Sequence, residues 1–214
     1  ININILKVFC IDKESYDYLS KDFKNIFLME LEENQKESNL IQFRNEGWSK
    51  IVYKKFNIIY NELKRFDYVM FTDGDIVFLN NNFIKYCLNE IKDNELLIQK
   101  DGLFMDYNKK IIDNYSIKSE LCTGFMLIRR SFNTLKIFNP DNIPELDVKC
   151  DQYYINQCKH NLKFKVLLHK YFPNGIYFNL APNIVDAFMI HFNFILGNKK
   201  KDKMKEKGYW FLEE

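Results

Sequence analysis

Two aspartates, Asp73 and Asp75, lie on either side of Gly74 at the end of an apolar run, residues 68–71. The run predicts a strand buried on both faces, and the carboxyl edge of an open α/β sheet is where ligands bind. We expect the glycine to allow a sharp turn, so that both carboxylates face one small volume. Such oxygen ligands suit Mn²⁺ or Mg²⁺, which could also hold a substrate's phosphates. A second apolar run, 76–78, follows, and because unpaired charge in a core is costly, these flanks favour a metal site over a solvated turn.

Other polar residues also follow apolar runs. Asp101 comes after run 96–99, and His191 ends run 187–191. Six of the seven glycines lie at or beside such polar turns, where glycine lets the backbone bend or come close to another group. The last of these turns opens a lysine-rich segment that extends from Gly197 to Gly208.

The chain alternates predicted strands and helices, which is typical of an α/β protein. Strands are predicted over 6–11, 26–31, 68–71, 96–99, 123–129, 164–168 and 187–191. Helices are predicted from about Ser15, which could cap the first one, and over 48–63, 82–92, 131–138 and 151–159. Helix 48–63 lies between two strands and predicts a parallel βαβ unit, with Ile51, Ile58, Ile59 and Leu63 on its buried side. Residues 104–119 show no clear pattern and are interpreted as a loop over a site.

Composition limits the class of protein. The 214 residues fit one domain, residues 1–214, and 47% hydrophobic residues indicate an ordered core. A net charge of +2 argues against a nucleic-acid binder. The five cysteines suggest neither a disulfide framework nor a zinc site, so we expect a reducing, cytoplasmic setting. No apolar run approaches the roughly 18 residues of a membrane span. Because the chain begins with Ile1, an anchor or a further domain could lie outside it.

Several motifs follow one another through the part of the chain after residue 70. In order they are FTDGDIVF, KDG, CTGFMLIRRS, CDQYYIN, FPNG and HFNFILGNKKKDKMKEKGYW. With these motifs the chain resembles the nucleotide-diphospho-sugar transferases of the glycosyltransferase A fold. It is most similar to small members encoded by large DNA viruses of algae, and it resembles glycogenin-like and plant cell-wall glycosyltransferases. The resemblance implies an α/β, Rossmann-like fold with a central, mostly parallel mixed sheet flanked by helices.

The resemblance also implies a metal and diphosphate site. Asp73 and Asp75 would be the Asp-x-Asp pair near Mn²⁺ or Mg²⁺, with Asp73 also touching the ribose side of the nucleotide, and His191 would be the third protein ligand. Gly197 and Lys200 would meet the diphosphate, where a helix N-terminus and an ammonium group favour negative charge. The alternatives left open are a structural histidine at 191 and a solvated lysine-rich helix face.

A second group of residues would face the donor sugar. The resemblance implies that Asp101, with the pair Asp151 and Gln152, holds the sugar or faces the reacting carbon. A neutral amide beside a developing oxocarbenium ion is chemically sensible for Gln152. Asp101 could instead be a turn acid, and Asp151 could be the N-cap of its helix.

The chain departs from glycogenin-like enzymes in two ways. They have a tighter interval between the histidine and the glycine and a Lys-Pro-Trp ending, so the lysine that meets phosphate is left open here. Lys50 and Lys54, on the long predicted helix, are weaker candidates for the same task. His160 and His169 lie in polar, lysine-rich surroundings and are predicted to be surface residues.

Together these features predict a metal-dependent glycosyltransferase. It would move a hexose, deoxyhexose or pentose from a UDP-sugar to a glycan or protein-linked acceptor, with the retaining stereochemistry that the resemblance favours. The alternatives are a metal-dependent phosphohydrolase and a non-catalytic nucleotide-sugar-binding module. A haloacid-type phosphatase would need Asp-x-Asp-Gly-Thr, which residues 73–77 do not supply. If the source were a virus, the cytoplasm would be that of its host.

Overall fold

The computed structural model describes residues 6–29, 48–102, 104–105, 111–112, 120–143, 150–180, 184–195 and 197–211. The chain forms two compact units, one extending to Ile51 and the other beginning at Val52. Apart from Lys50, all the candidate site residues belong to the second unit. None of the helices described is long and apolar enough to span a lipid bilayer.

The described part of the first unit contains a parallel strand pair with a helix between the strands. These elements are β1 (Val8–Cys10), α1 (Lys13–Leu19) and β2 (Ile26–Leu28). Both strands are shorter than predicted. Asp12, rather than Ser15, caps α1, because its backbone is extended and its carboxylate accepts a hydrogen bond from Ser15 N at 2.7 Å. Among the described strand pairings, β1, α1 and β2 form the parallel βαβ unit. The sequence predicts such a unit around helix 48–63, which follows β2.

A long helix, α2 (Trp48–Leu63), crosses the boundary between the units, and the remaining elements follow in the second unit. The strands are β3 (Tyr68–Thr72), β4 (Ile76–Phe78), β5 (Leu96–Lys100), β6 (Phe104–Met105), β7 (Ile111–Ile112), β8 (Leu121–Arg129), β9 (Phe164–Leu167) and β10 (Met189–His191). The helices are α3 (Asn82–Ile91), α4 (Phe132–Phe138), α5 (Asp151–Cys158), α6 (Gly175–Leu180) and α7 (Asn198–Glu206). The predicted loop 104–119 contains the antiparallel pair β6 and β7, and its other residues lie outside the described residues.

The main sheet has the strand order β3-β8-β5-β9. Strands β3, β5 and β9 run in one direction and β8 runs against them, which confirms the mixed sheet, although two of its three strand pairings are antiparallel. Among the described strands β3 pairs with β8 alone, so it lies at the sheet edge and Tyr68 remains 39% exposed. Val69 and Phe71 pack against one apolar cluster and Met70 packs against another, but none of residues 68–71 is fully buried, so the prediction of a strand buried on both faces is confirmed only in part.

Alternate residues of the central strands point to opposite faces, and each face is covered by helices. Leu96, Ile98, Met126 and Ile128 pack on one side with residues of α2, α4 and α5. Leu97, Phe125 and Leu127 pack on the other side with residues of α3. On α2 the buried apolar residues are Phe56, Ile59 and Leu63, whereas Ile58 is only partly buried and the side chain of Ile51 lies outside the described ones. The helix-flanked α/β class is thus confirmed.

A second, two-stranded sheet is formed by β4 and β10, which pair antiparallel with His191 opposite Ile76. Val77 and Ile190 from these strands pack with Met204 of α7 in a third apolar cluster. This pairing connects the segment after the two aspartates to a segment more than a hundred residues later, and it brings His191 beside Asp75.

Candidate active site

Asp73, Asp75 and His191 converge at the ends of β3, β4 and β10. One ligand atom from each residue lies within 4.8 Å of the others. The β4–β10 register holds His191 opposite Ile76, next to Asp75. The glycine between the aspartates has no left-handed φ, and a Cβ added there would meet nothing within 4 Å. The chain does turn at Gly74 and Asp75, as predicted, but the turn does not require glycine, and Gly74 leaves open space beside the carboxylates.

The imidazole of His191 is oriented by Gln99, a fully buried residue of β5. Gln99 Nε2 donates a hydrogen bond to the carbonyl oxygen of Phe172 at 3.0 Å, so Gln99 Oε1 is the atom that faces His191 Nδ1 at 2.8 Å. Nδ1 must therefore carry a hydrogen, and in the neutral ring Nε2 presents a lone pair. Nε2 lies 3.2 Å from Asp75 Oδ1, so it donates a hydrogen bond to this carboxylate when it is protonated and offers its lone pair to a cation when the ring is neutral. Two acceptors that face each other attract a cation, so these residues fit a divalent metal ion.

A bulge in β8 makes room for this histidine. The register between β5 and β8 shifts so that Ile98 pairs with Met126 and Gln99 with Cys122. Within the bulge lies Gly124, where an added Cβ would stand 2.2 Å from His191 Cε1 and 3.0 Å from Asp73 Oδ2. Bulges next to sites redirect the chain in this way, and only glycine fits beneath the imidazole.

Lys200 adds a positive charge to the carboxylate pair. It lies in the first turn of α7, which begins after Gly197 with φ +57°, and its Nζ is 2.5 Å from Asp75 Oδ2. Burial by itself would raise the pKa of Asp75, but hydrogen bonds and charge from His191 and Lys200 outweigh burial and hold it well below its usual value. The structure thus brings Lys200 to the aspartates, whereas the side chain of Lys50 lies outside those described.

A buried lysine that the sequence analysis missed connects the aspartates to Asp151. Lys55 Nζ lies 3.1 Å from Asp73 Oδ1 and forms an ion pair with Asp151, whose Oδ2 also accepts a hydrogen bond from Thr123 Oγ1 at 2.5 Å. Burial opposes the charge on Lys55, but the two carboxylates raise its pKa above the ordinary value. The available signal was position, since Lys55 precedes Ile59 by one helical turn on the apolar stripe of α2.

Asp151 is the first residue of α5, and it does not cap that helix. The cap is Cys150, whose Sγ accepts a hydrogen bond from Tyr153 N at 3.4 Å. Burial would raise the pKa of Asp151, and the contacts with Lys55 and Thr123 together lower it. The alternative of a helix cap is therefore wrong, and the Asp151 side chain is committed to the lysine.

Asp101 and Gln152 form a separate pair. Gln152 Nε2 donates to Asp101 Oδ2 at 2.8 Å, and burial raises the pKa of Asp101 although this hydrogen bond partly offsets the effect. Asn174 connects this pair to α6. Its Nδ2 donates a hydrogen bond to the Asp101 carbonyl oxygen, and its Oδ1 accepts one from Tyr177 N of α6 at 2.8 Å. The structure thus joins two of the three residues predicted to face the sugar.

The two remaining histidines have different surroundings. His160 is exposed, as predicted. His169 is fully buried, stacks on Tyr177 with ring centroids 5.3 Å apart and lies 3.1 Å from Asn174 Nδ2, so the prediction of a surface residue was wrong. The sequence signal was misleading because the polar neighbours of His169 in the chain do not surround it in the fold.

Comparison with known proteins identifies the family. Residues 2–206 match the family model described as nucleotide-diphospho-sugar transferase. The chain belongs to this family. A nucleotide-diphospho-sugar transferase is a glycosyltransferase, so the predicted enzyme class is confirmed, and the phosphohydrolase and the non-catalytic module are no longer favoured.

Two similar proteins agree with this assignment. The transferase is 27% identical, over 206 residues, to a UDP-galactose:fucoside alpha-3-galactosyltransferase of Dictyostelium discoideum, and the match covers 82% of this chain but 30% of the relative. The chain therefore spans less than a third of that protein's length. A crystal structure of a glycosyltransferase involved in glycosylation of the major capsid of PBCV-1 aligns with a TM-score of 0.53 and 11% identity, covering 90% of this chain and 88% of that one. The second likeness shows a shared fold.

Proposed function

We propose that this transferase moves a hexose, deoxyhexose or pentose from a UDP-sugar to a glycan or protein-linked acceptor, with Mn²⁺ or Mg²⁺ held by Asp73, Asp75 and His191. The observation that carries the proposal is the convergence of these three side chains around the lone pair that Gln99 exposes on His191 Nε2. The name of the Dictyostelium relative supports UDP as the nucleotide and galactose as the first sugar to test.

The leaving group of such a transfer is a diphosphate that gains negative charge. A bound divalent cation would neutralise that charge as a Lewis acid. Lys200 adds an ammonium group beside Asp75, and the start of α7 after Gly197 directs backbone N–H groups toward an anion. Lys55 keeps Asp73 in place from the other side. We propose that these fixed charges supply most of the rate enhancement, as preorganised groups commonly do.

The sugar would be held by the second group of residues. Because burial raises the pKa of Asp101, its carboxyl group is suited to a close hydrogen bond with a sugar hydroxyl. Gln152, which Asp101 orients, would face the reacting carbon with a neutral amide. Asp151 would act by positioning Lys55, because its Oδ2 accepts from both Lys55 Nζ and Thr123 Oγ1.

Retention of configuration is part of the proposal. The Dictyostelium relative is named for an alpha linkage made from UDP-galactose, and an α-linked product from an α-linked donor is retention. Proton NMR of the transfer product distinguishes the two outcomes by the coupling of the anomeric proton of the transferred sugar, and a β-linked product would contradict retention. We also propose a reducing, cytoplasmic setting, from the odd number and wide spacing of the five cysteines in the sequence.

Isothermal titration calorimetry with UDP tests the metal site. We expect the wild-type protein to bind UDP in MnCl₂ and to lose that affinity in EDTA, and Asp75→Asn to weaken it by at least about 100-fold in MnCl₂. Asp186→Asn is the matched control, because Asp186 is a 54% exposed partner of Lys170 in a surface ion pair. Equal UDP affinity in MnCl₂ and EDTA would overturn the metal assignment.

A thermal-shift panel of UDP-, GDP- and CMP-sugars, with and without Mn²⁺, identifies the donor. A ligand that binds only the folded state raises the melting temperature. We expect UDP-sugars alone to do so, and only in the presence of the metal. Fucosides are the first acceptors to combine with the donor found, given the name of the Dictyostelium relative.

A further inference from the structure

Phe194 adopts a backbone conformation that bulky residues rarely take. Its φ is +64°, and the only other non-glycine residue with positive φ in the described part of the chain is Lys92. Left-handed backbone at a bulky side chain is unfavourable and is concentrated at functional sites. The side chain is also 54% exposed, although the neighbouring Phe192 is fully buried.

The neighbours of Phe194 are held on both sides. Phe192 N donates to Asp75 O at 3.0 Å, and the Phe192 ring packs 5.5 Å from that of Phe178. Asn193 Oδ1 accepts from Gly175 N at 2.8 Å, and an added Cβ at Gly175 would lie 2.1 Å from Asn193 O. On the other side Ile195 packs in the apolar cluster of β4 and β10. The chain therefore bends at residue 194 and turns its ring away from the core.

The bend lies beside the proposed metal site. His191 and Lys200, which precede and follow it in the chain, both contact Asp75. Phe194 is three residues from His191, so their Cα atoms are at most about 11 Å apart. Among the residues that the structure describes, no aromatic ring packs against Phe194, whereas Phe178 and Phe192 pack together. An exposed aromatic ring thus lies in the short segment that joins two residues of the site.

We propose that Phe194 belongs to the acceptor site, where its ring stacks on the apolar C–H face of the acceptor sugar and helps to select it. This inference rests on the proposed function. The acceptor hydroxyl must reach the anomeric carbon, which is bonded to the diphosphate beside the metal, and it must approach from solvent. The uracil of the donor lies a ribose and a diphosphate further away. An exposed ring on a backbone that is fixed at both neighbouring residues, and in the segment between His191 and Lys200, suits a sugar, because aromatic side chains combine large contact area with little conformational freedom.

Saturation-transfer NMR tests the proposal on the full chain with UDP and Mg²⁺ present. The probes are methyl α-L-fucoside, methyl β-D-galactoside, methyl α-D-glucoside and methyl β-D-xyloside. We expect at least one to receive saturation from the wild-type protein, and Phe194→Ala to reduce that signal by about fivefold or more, as loss of a contact residue does. Phe194→Trp, which keeps an aromatic face, should retain the signal.

Phe194→Gly separates contact from conformation. Glycine adopts positive φ without steric cost, so this variant should melt at or above the temperature of Phe194→Ala while binding the glycosides as poorly. Calorimetry on the same samples should give a UDP affinity within about twofold of wild type in all variants, a difference too small to indicate a lost contact.

Three results would overturn the inference. They are the absence of saturation transfer to every glycoside in the wild-type protein, an equal signal in Phe194→Ala, and a UDP affinity lowered about tenfold in Phe194→Ala, which would place the ring on the donor side. Failure of the proposed function looks different, because the wild-type protein would then bind no UDP in the presence of metal.

Discussion

The two ends of strand β5 each hold a buried polar side chain that organises its surroundings, and they do so in opposite ways. Before the strand, Glu95 accepts hydrogen bonds from Ser131 Oγ at 2.6 Å, Asn133 Nδ2 at 3.2 Å and Lys163 N at 2.9 Å. Burial opposes the charge on Glu95, but these neutral donors, with a smaller contribution from the charge of Arg129, lower its pKa. Its oxygens are satisfied by groups that the fold holds fixed.

At the other end of β5, Gln99 contacts His191, which belongs to a group of side chains with opposite charges. Asp75 is held by His191 and Lys200, and Lys55 lies between Asp73 and Asp151. Here a histidine lone pair and carboxylate oxygens converge beside open space at Gly74. The difference teaches that a buried carboxylate does not by itself indicate a site. What distinguishes the site is a set of acceptors that face one another, balanced by lysines.

The largest expected effect comes from removing the charge of Lys55, at the end of β5 where charged side chains pair. Lys55→Met leaves Asp151 buried without its cation, so the free energy of unfolding should fall by about 3–5 kcal/mol in urea denaturation. Adding Asp151→Asn should restore part of the loss. Lys85→Met, at an exposed lysine of α3, is the control and should change stability by less than about 0.5 kcal/mol. A loss in Lys55→Met no larger than the control's would show that the pair does not stabilise the site.

The end of β5 that holds Glu95 should respond to substitution of Glu95 itself. Glu95→Ala leaves the Ser131, Asn133 and Lys163 donors without their acceptor and should lower the free energy of unfolding by about 1–3 kcal/mol. Glu95→Gln should cost less, because an amide oxygen can still accept. Calorimetry should show unchanged UDP affinity in both variants. A large drop in that affinity would mean that the two ends of β5 are coupled, against the comparison.

The close approach at Gly124 gives a smaller, more local test. Gly124→Ala places a Cβ 2.2 Å from His191 Cε1, so the imidazole must move and Mn²⁺-dependent UDP affinity should fall by at least tenfold, or about 1.4 kcal/mol. Gly102→Ala is the control, since its Cβ would meet nothing within 4 Å. Equal UDP affinity in the two variants would show that the imidazole position does not matter for the metal.

The smallest effect is a pH dependence in EDTA. Because the pKa of Asp75 in the folded protein is held below its ordinary value of 3.8, its contribution to stability is fully present above that value and is lost as the pH falls below it. Below about pH 4, wild-type stability should therefore fall more steeply than that of Asp75→Asn, by up to about 1.4 kcal/mol per pH unit. Urea denaturation from pH 6 to pH 3 measures this, and parallel curves for the two proteins would contradict it.

Much of the fold could be predicted from local patterns. The apolar runs that became β5, β8 and β9 and the helical spacing of α2 are short-range features, and burial of one face follows from them. The errors occurred where neighbours in space decide the outcome. The end of the run at Tyr68 is exposed because β3 has one partner strand among those described, and His169 is buried because other segments cover it.

The order of motifs along the sequence determined the family, the α/β class and the acids and histidine to examine, because residue type and order are properties of the chain itself. The tertiary structure decided which groups assist them. Gln99 orients His191, Lys55 joins Asp73 to Asp151, and the bulge at Gly124 makes room for the imidazole. These contacts depend on strand register and on a bulge, which join residues distant in the chain. Spacing along one sequence does not specify such pairings, since shifting the register by one residue turns every side chain to the opposite face.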